Sequence, residues 1–272
     1  MLNGLLERFA SEELVMGWRD DERKRIKTSI DNLSYWLKHK LSGQIEGIFP
    51  FGSWTRNTIL PRAYDDNSDI DIMVVFKQNG YGDYYNKAEY FRSKLRSFAT
   101  VSYPLSYVRR DAPAVKLELG FIKYDLVPAV SYWMPGLFNI PHSSPSLEWM
   151  LTQPKDLDPL ISQLNVRYGG NLVRNVIRLC KYWNKSGNHT AMASYQLESF
   201  ILNVFNGYLP NELQRTYECF LHMLDSMRIA GYIKSEDGTT NAIDWIRHYR
   251  QACDYDRQLA WMNRLLPGID GI

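Results

Sequence analysis

Two aspartates, Asp69 and Asp71, stand one residue apart at the head of the β-type run "DIDIMVVF". In an extended strand alternate side chains share a face, so both carboxylates point one way while Ile70 and Ile72 point the other. Like charges held side by side are unfavourable unless the pair takes a proton, a cation or a basic partner. Hard divalent ions such as Mg²⁺ meet that need, because they bind carboxylate oxygens together with substrate phosphates. A third acid, Asp125, lies among apolar residues in a second β-type run, "FIKYDLVPAV". If the two runs are neighbours, the three acids can hold two Mg²⁺ (or Mn²⁺) ions, one acidifying an attacking hydroxyl and the other neutralising leaving phosphates. The competing reading makes Asp69 a turn residue after "DDNS" and Asp71 a solvated side chain on an edge strand.

The residues just upstream favour phosphate chemistry. Gly52 and Ser53 precede the acid pair at a distance that allows strand, tight turn, short helix and return. The glycine lets backbone approach a phosphate, and the serine hydroxyl with N–H groups at a helix start can donate to phosphate oxygens. Arg56 and Thr58 fall in the same turn region, and Arg56 either touches phosphate or pairs on the surface. Asp65 and Asp66 are read as loop-shaping residues outside the metal set. Lys116, on the β-type run "AVKLELG", faces either a cleft or water.

The elements that must position these groups read as two kinds of text. A helix is predicted from Asp20 to about Leu41, with acids at its start, Ile26, Ile30, Leu33 and Leu37 at helical spacing, and Gly43 as a stop. Then come the runs "IEGIFPF", "DIDIMVVF", "AVKLELG" and "FIKYDLVPAV", with a helix "YYNKAEYFRSKLRSFA" between the second and third. After Val130, "SYWMPGLFNIPHSSPS" reads as an irregular crossover, and beyond it the patterns are helical. An α+β protein is expected: a catalytic lobe of mixed sheet and helices over 1–155, a helical lobe over 156–272, and a cleft between them. In "NLVRNVIRLCKYWNKSG", Leu172, Val176, Leu179 and Trp183 form an apolar stripe, while Arg174, Arg178, Lys181 and Lys185 recur on another face. That basic stripe is either a triphosphate-binding surface or a solvated face.

Composition narrows the classes. With 272 residues, 45% hydrophobic and 23% charged, the chain is that of a folded globular protein. A net charge of +2 speaks against a surface dedicated to nucleic acid. Cys180, Cys219 and Cys253 are too few and too scattered for a disulfide framework. His39, His142, His189, His222 and His248 show no metal-ligand spacing with cysteine, so no zinc module is expected. The N-terminus lacks a secretory pattern and no run spans a bilayer, which makes a cytoplasmic protein the expectation. Most of the aromatics are expected in the core.

"GSWTRNT" followed by "SDIDIMVVF" and then "YDLVPA" resembles the nucleotidyltransferase superfamily of DNA polymerase β, CCA-adding enzymes and oligoadenylate synthetases. Within it the sequence is most similar to the bacterial cGAS/DncV-like nucleotidyltransferases, the CD-NTases, which make cyclic di- or oligonucleotide second messengers in anti-phage defence. The resemblance runs over roughly residues 45 to 205. It implies a polymerase-β-like catalytic lobe with Asp69, Asp71 and Asp125 as catalytic metal ligands. Gly52, Ser53 and Arg56 would lie at the donor phosphates. A helix of the form "RLCKYW" and a segment of the form "SYQLE" imply Lys181 and Ser194 at the triphosphate and Tyr195 near the base. It also implies NTP substrates and a defence-system effector or regulatory protein as partner. The zinc-binding insertion of the animal DNA sensor of this family is not visible, so activation by DNA is not carried over.

Three functions stay open on the sequence. The leading one is synthesis of a cyclic nucleotide signal from NTPs. The second is transfer of a nucleotide to an RNA end or a protein hydroxyl, and the modest net charge counts against an RNA track. The third is a nucleotide-binding sensor without turnover, which the full set of three carboxylates and the Gly-Ser pair disfavours.

Overall fold

The structure is a computed structural model and describes residues 2–17, 21–78, 87–144, 147–186, 192–207, 209, 213, 215–234 and 238–271; His189 lies outside them. The chain opens with α1 (Leu2–Arg8), a π-helical turn (Phe9–Glu13), α2 (Asp21–Lys40), β1 (Ile45–Phe51) and the short α3 (Ser53–Arg56). It continues through β2 (Asp69–Phe76), α4 (Ala88–Ser102), β3 (Tyr107–Asp111), β4 (Ala114–Leu119), β5 (Ile122–Ser131), β6 (Phe138–Pro141) and β7 (Trp149–Thr152). Then follow α5 (Leu157–Tyr168), α6 (Leu172–Ser186), α7 (Ser194–Asn206), α8 (Thr216–Ile229), α9 (Gly238–Gln251) and α10 (Tyr255–Leu265). No described helix is long and apolar enough to cross a membrane.

These elements form two compact units. One, the sheet unit, comprises residues 18–56 and 67–156; the other, the helical unit, comprises 1–17, 57–66 and 157–272. The sequence expectation kept 1–155 in one lobe, whereas residues 1–17 and 57–66 group here with the later helices.

In the sheet unit the strand order is β1-β2-β5-β4-β3, with β6 beside β5 and β7 beside β6. β2 and β5 are parallel, and the other pairs are antiparallel. β2 is therefore central, flanked by β1 and β5, and the edge-strand reading of Asp71 fails. Ile70, Ile72, Val74 and Phe76 project from the face opposite Asp69 and Asp71 and are buried. α4 covers that face, where Phe76 meets Phe91 with ring centroids 5.0 Å apart. α2 packs against α4 and β1. It forms as predicted: Asp21 and Glu22 open it, Lys38, His39 and Lys40 close it, and Ile26, Ile30, Leu33 and Leu37 are its buried stripe. On the face that carries the acids, Met73, Val75, Val127, Ala129, Ala114 and Ile140 form a small apolar cluster. The stretch read as an irregular crossover instead contains the short strand β6, and its antiparallel partner β7 follows in the part read as helical.

In the helical unit the core gathers around α6, whose Trp183 is fully buried and donates its indole N–H to Thr239 Oγ1 at 3.2 Å. The π-helical turn contributes Phe9, which packs edge-on against Tyr64 and Tyr182.

Candidate active site

The parallel register of β2 and β5 sets Asp71 opposite Asp125 and Asp69 opposite Lys123. All three acids share one face, and one carboxylate oxygen from each lies within 4.8 Å of the others. The pairing that the sequence left conditional is present in the fold. Among the described residues this is the one group of three or more acid, histidine or cysteine side chains close enough to hold a metal ion.

Gly52 explains how Asp71 fits. β1 ends at Phe51, which pairs with Asp71, and the chain then turns through Gly52 at φ +75° into α3. A Cβ on Gly52 would lie 2.1 Å from Asp71 Oδ2. The missing side chain is the space the carboxylate occupies, and the left-handed backbone is one that glycine adopts without strain. The turn is closed by Arg56 N–H and Thr55 Oγ1–H, both donating to the Gly52 carbonyl, at 3.3 and 3.0 Å. Ser53 opens α3 half-buried, and Arg56 closes it with its side chain buried.

Lys116 is the group that the sequence left undecided between two faces. β4 pairs it directly with Asp125, so its side chain rises on the acid face. Its ammonium donates to Asp69 Oδ2 at 3.2 Å and lies 3.3 Å from Asp125 Oδ1 and 3.4 Å from Asp111 Oδ2. Burial works against this charge, but the Asp125 and Asp69 carboxylates outweigh it and hold the ammonium above its ordinary pKa. Asp125 is pushed the other way: burial first, then the neighbouring Asp69, raise its carboxyl to about 7 against the pull of Lys116. Among the described residues its buried Oδ1 has no well-aligned hydrogen-bond donor, although the Lys116 ammonium lies 3.3 Å away as an ion pair. A buried oxygen short of aligned donors, beside two more carboxylates and a glycine that makes room for one of them, fits a divalent cation.

The other site candidates lie in the helical unit. Lys181 is not on a solvated stripe: it is buried, its ammonium 2.5 Å from Glu198 Oε1 and donating to the Thr58 carbonyl at 3.2 Å. Glu198, with no exposed surface, also accepts from Thr58 Oγ1 at 2.7 Å. Arg178, three residues earlier, is buried too and donates to the Asn57 carbonyl from Nε and Nη2 at 3.1 and 2.8 Å, and to Ala10 O and Asn175 Oδ1 from Nη1. Burial lowers its pKa to about 10, still charged at neutral pH. Arg178 and Lys181 therefore fasten the start of the segment 57–66 by the backbone carbonyls of Asn57 and Thr58. That segment joins the Gly52 turn to the strand of the acid pair. Ser194 and Tyr195 begin α7, both exposed, Tyr195 by 55%.

Solved structures of similar fold narrow the class. CdnC of E. coli MS115-1, determined with ATP, superposes with a TM-score of 0.72 at 14% identity over 98% of both chains. CdnG of Bradyrhizobium diazoefficiens, determined with GTP, gives 0.64 at 12% identity, covering 97% of this chain and 95% of that one. The Vibrio cholerae cyclic AMP-GMP synthase DncV, determined with a linear intermediate, gives 0.60 at 10% identity, covering 98% and 84%. The fold is thus the polymerase-β-like fold of the CD-NTases, and the protein is a nucleotidyltransferase. Residues 5–165 match the Second Messenger Oligonucleotide or Dinucleotide Synthetase domain, and the chain belongs to that family, whose members make cyclic oligonucleotide signals. No curated protein matches the chain.

Proposed function

We propose that this chain joins NTPs into a cyclic di- or oligonucleotide second messenger for bacterial anti-phage signalling, with Asp69, Asp71 and Asp125 holding two Mg²⁺ (or Mn²⁺) ions. The observation that carries this is the acid triad on one sheet face with Gly52 cut back to admit Asp71. When bound, such ions supply Lewis acidity to an attacking 3′-hydroxyl and neutralise the leaving pyrophosphate. The chain's own part is to hold three carboxylates in fixed register on paired parallel strands, beside the apolar cluster of Met73, Val75 and Val127 farther along the same face. The Gly52–Ser53 turn and Arg56 are assigned to the donor phosphates, Lys181 and Ser194 to the triphosphate tail, and Tyr195 to the base. For Lys181 this assignment requires the ammonium to exchange Glu198 or Thr58 for phosphate.

The relatives support the reading: CdnC was determined with ATP, CdnG with GTP and DncV with a linear intermediate. CdnC was also determined in complex with a HORMA protein. We assign this chain a regulatory protein partner on that likeness.

The test is incubation of the pure chain with four labelled NTPs and Mg²⁺ or Mn²⁺, with and without added RNA. A phosphatase-resistant nucleotide made without RNA is the expected result. Label found only on the added RNA would replace signal synthesis by RNA tailing. NTP binding with no pyrophosphate release in any condition would make the chain a sensor.

A further inference from the structure

The Lys116 ammonium stands among three carboxylates that do not have the same role. Asp69 and Asp125, at 3.2 and 3.3 Å, are ligands of the proposed metal site, whereas Asp111, at 3.4 Å, is outside it. The placement follows from the hairpin of β3 and β4. Asp111 pairs with Ala114 at its tip, two residues before Lys116 and on the same strand face, and Lys116 pairs with Asp125 on the next strand. Asp111 is 42% exposed and is also held by Arg109 Nη2 at 3.3 Å. Lys116 is 13% exposed.

An ammonium and a divalent cation at such distances compete for the lone pairs of the same carboxylates and repel each other. Lysine is a point charge on a flexible stem, so it can leave one partner and keep another. We propose that Lys116 is a resident counter-ion. It holds Asp69 and Asp125 together before metal arrives, then yields them to the incoming ion by withdrawing onto Asp111. Lys116 and Asp111 are thus positioning residues that set divalent-cation affinity with opposite signs. The inference rests on the triad being the metal site.

The experiment titrates Mn²⁺ into the whole chain without nucleotide and reads the free ion by its paramagnetic resonance signal. Lys116→Met should lower the Kd about tenfold or more, because a competing charge is removed. Asp111→Asn should raise the Kd, since the ammonium then has nowhere else to pair, and this effect should shrink when Lys116→Met is already present. Lys116→Arg, which keeps the charge, should not tighten binding. A Kd unchanged or raised in Lys116→Met, with Mn²⁺ uptake still abolished by Asp71→Asn, would overturn this inference and leave the metal site standing. No Mn²⁺ uptake that Asp71→Asn removes would overturn the metal site and the inference together. Should Lys116→Met fail to fold, Asp111→Asn on its half-exposed side chain decides: an unchanged Kd overturns the proposal.

Discussion

Replacing Gly52 by alanine should separate catalysis from stability. The new methyl would stand 2.1 Å from Asp71 Oδ2 and 3.1 Å from its Cγ. What it meets is the far end of a side chain and not backbone, so the clash is relieved by moving the carboxylate, and the proposed metal ligand is what moves. Backbone strain adds to this, since alanine at φ +75° costs about 1–2 kcal/mol relative to glycine. In a protein of this size each kcal/mol lowers Tm by roughly 2–4 °C, so a loss of about 2–8 °C follows. Displacing a reacting group by about 1 Å costs on the order of a hundredfold in rate. Gly43 supplies the control: it has φ +77°, and a Cβ there would meet nothing within 4 Å, so Gly43→Ala carries the backbone strain without the clash. The assay is pyrophosphate release under saturating NTP beside thermal unfolding of both variants. Gly52→Ala should lose about a hundredfold or more in rate and Gly43→Ala almost none, at similar Tm. Equal rates in the two variants would refute the claim that Gly52 exists to admit Asp71.

Other consequences follow from groups held away from water. Asp125, at about 7 in the folded chain against 3.8 ordinarily, binds its proton more tightly folded than unfolded. Stability from this group is therefore full below about pH 4 and is lost as pH rises to about 7, by up to about 4 kcal/mol for a shift of about three units. Asp125→Asn should accordingly gain stability over the parent between about pH 5 and pH 8 in metal-free urea unfolding, and parallel curves would count against it. Glu198→Ala strands the Lys181 ammonium in the interior and should cost about 3–5 kcal/mol. Adding Lys181→Met should restore part of that loss in the same unfolding assay, and additive losses would show that the pair is not coupled.

What the sequence makes legible is the part with a short period. β2 and β5 can be read because two-residue alternation puts Asp69 and Asp71 on one face and four apolar residues on the other. α2 can be read because its charges and apolar stripe agree with helix geometry. Parallel pairing that sets Asp71 opposite Asp125 is only a condition at that level, since register between strands far apart in the chain is decided by long-range packing. β3, "YVRRD", escapes because an edge strand with an exposed face has almost no apolar signal. β6, "FNIP", is hidden in a Pro- and Ser-rich stretch, and β7, "WMLT", is too short for a two-residue alternation to show. Arg178 and Lys181 mislead for a different reason: their spacing marks a polar face, and only the distant Asn57, Thr58 and Glu198 turn that face inward. Lys116 has a signal in its two-residue offset from Ala114, but its direction becomes definite only once β4 is paired with Asp125.

The most direct test of the central claim is mass analysis of the phosphatase-resistant product made from the four NTPs with Mn²⁺ by the parent chain and by Asp71→Asn. Asp71→Asn keeps the shape of the side chain beside Gly52 and removes its charge. A cyclic nucleotide from the parent, absent from an Asp71→Asn variant that unfolds at the parent's temperature within a few degrees, is the result this account predicts. The same product from both proteins at comparable rates would contradict it.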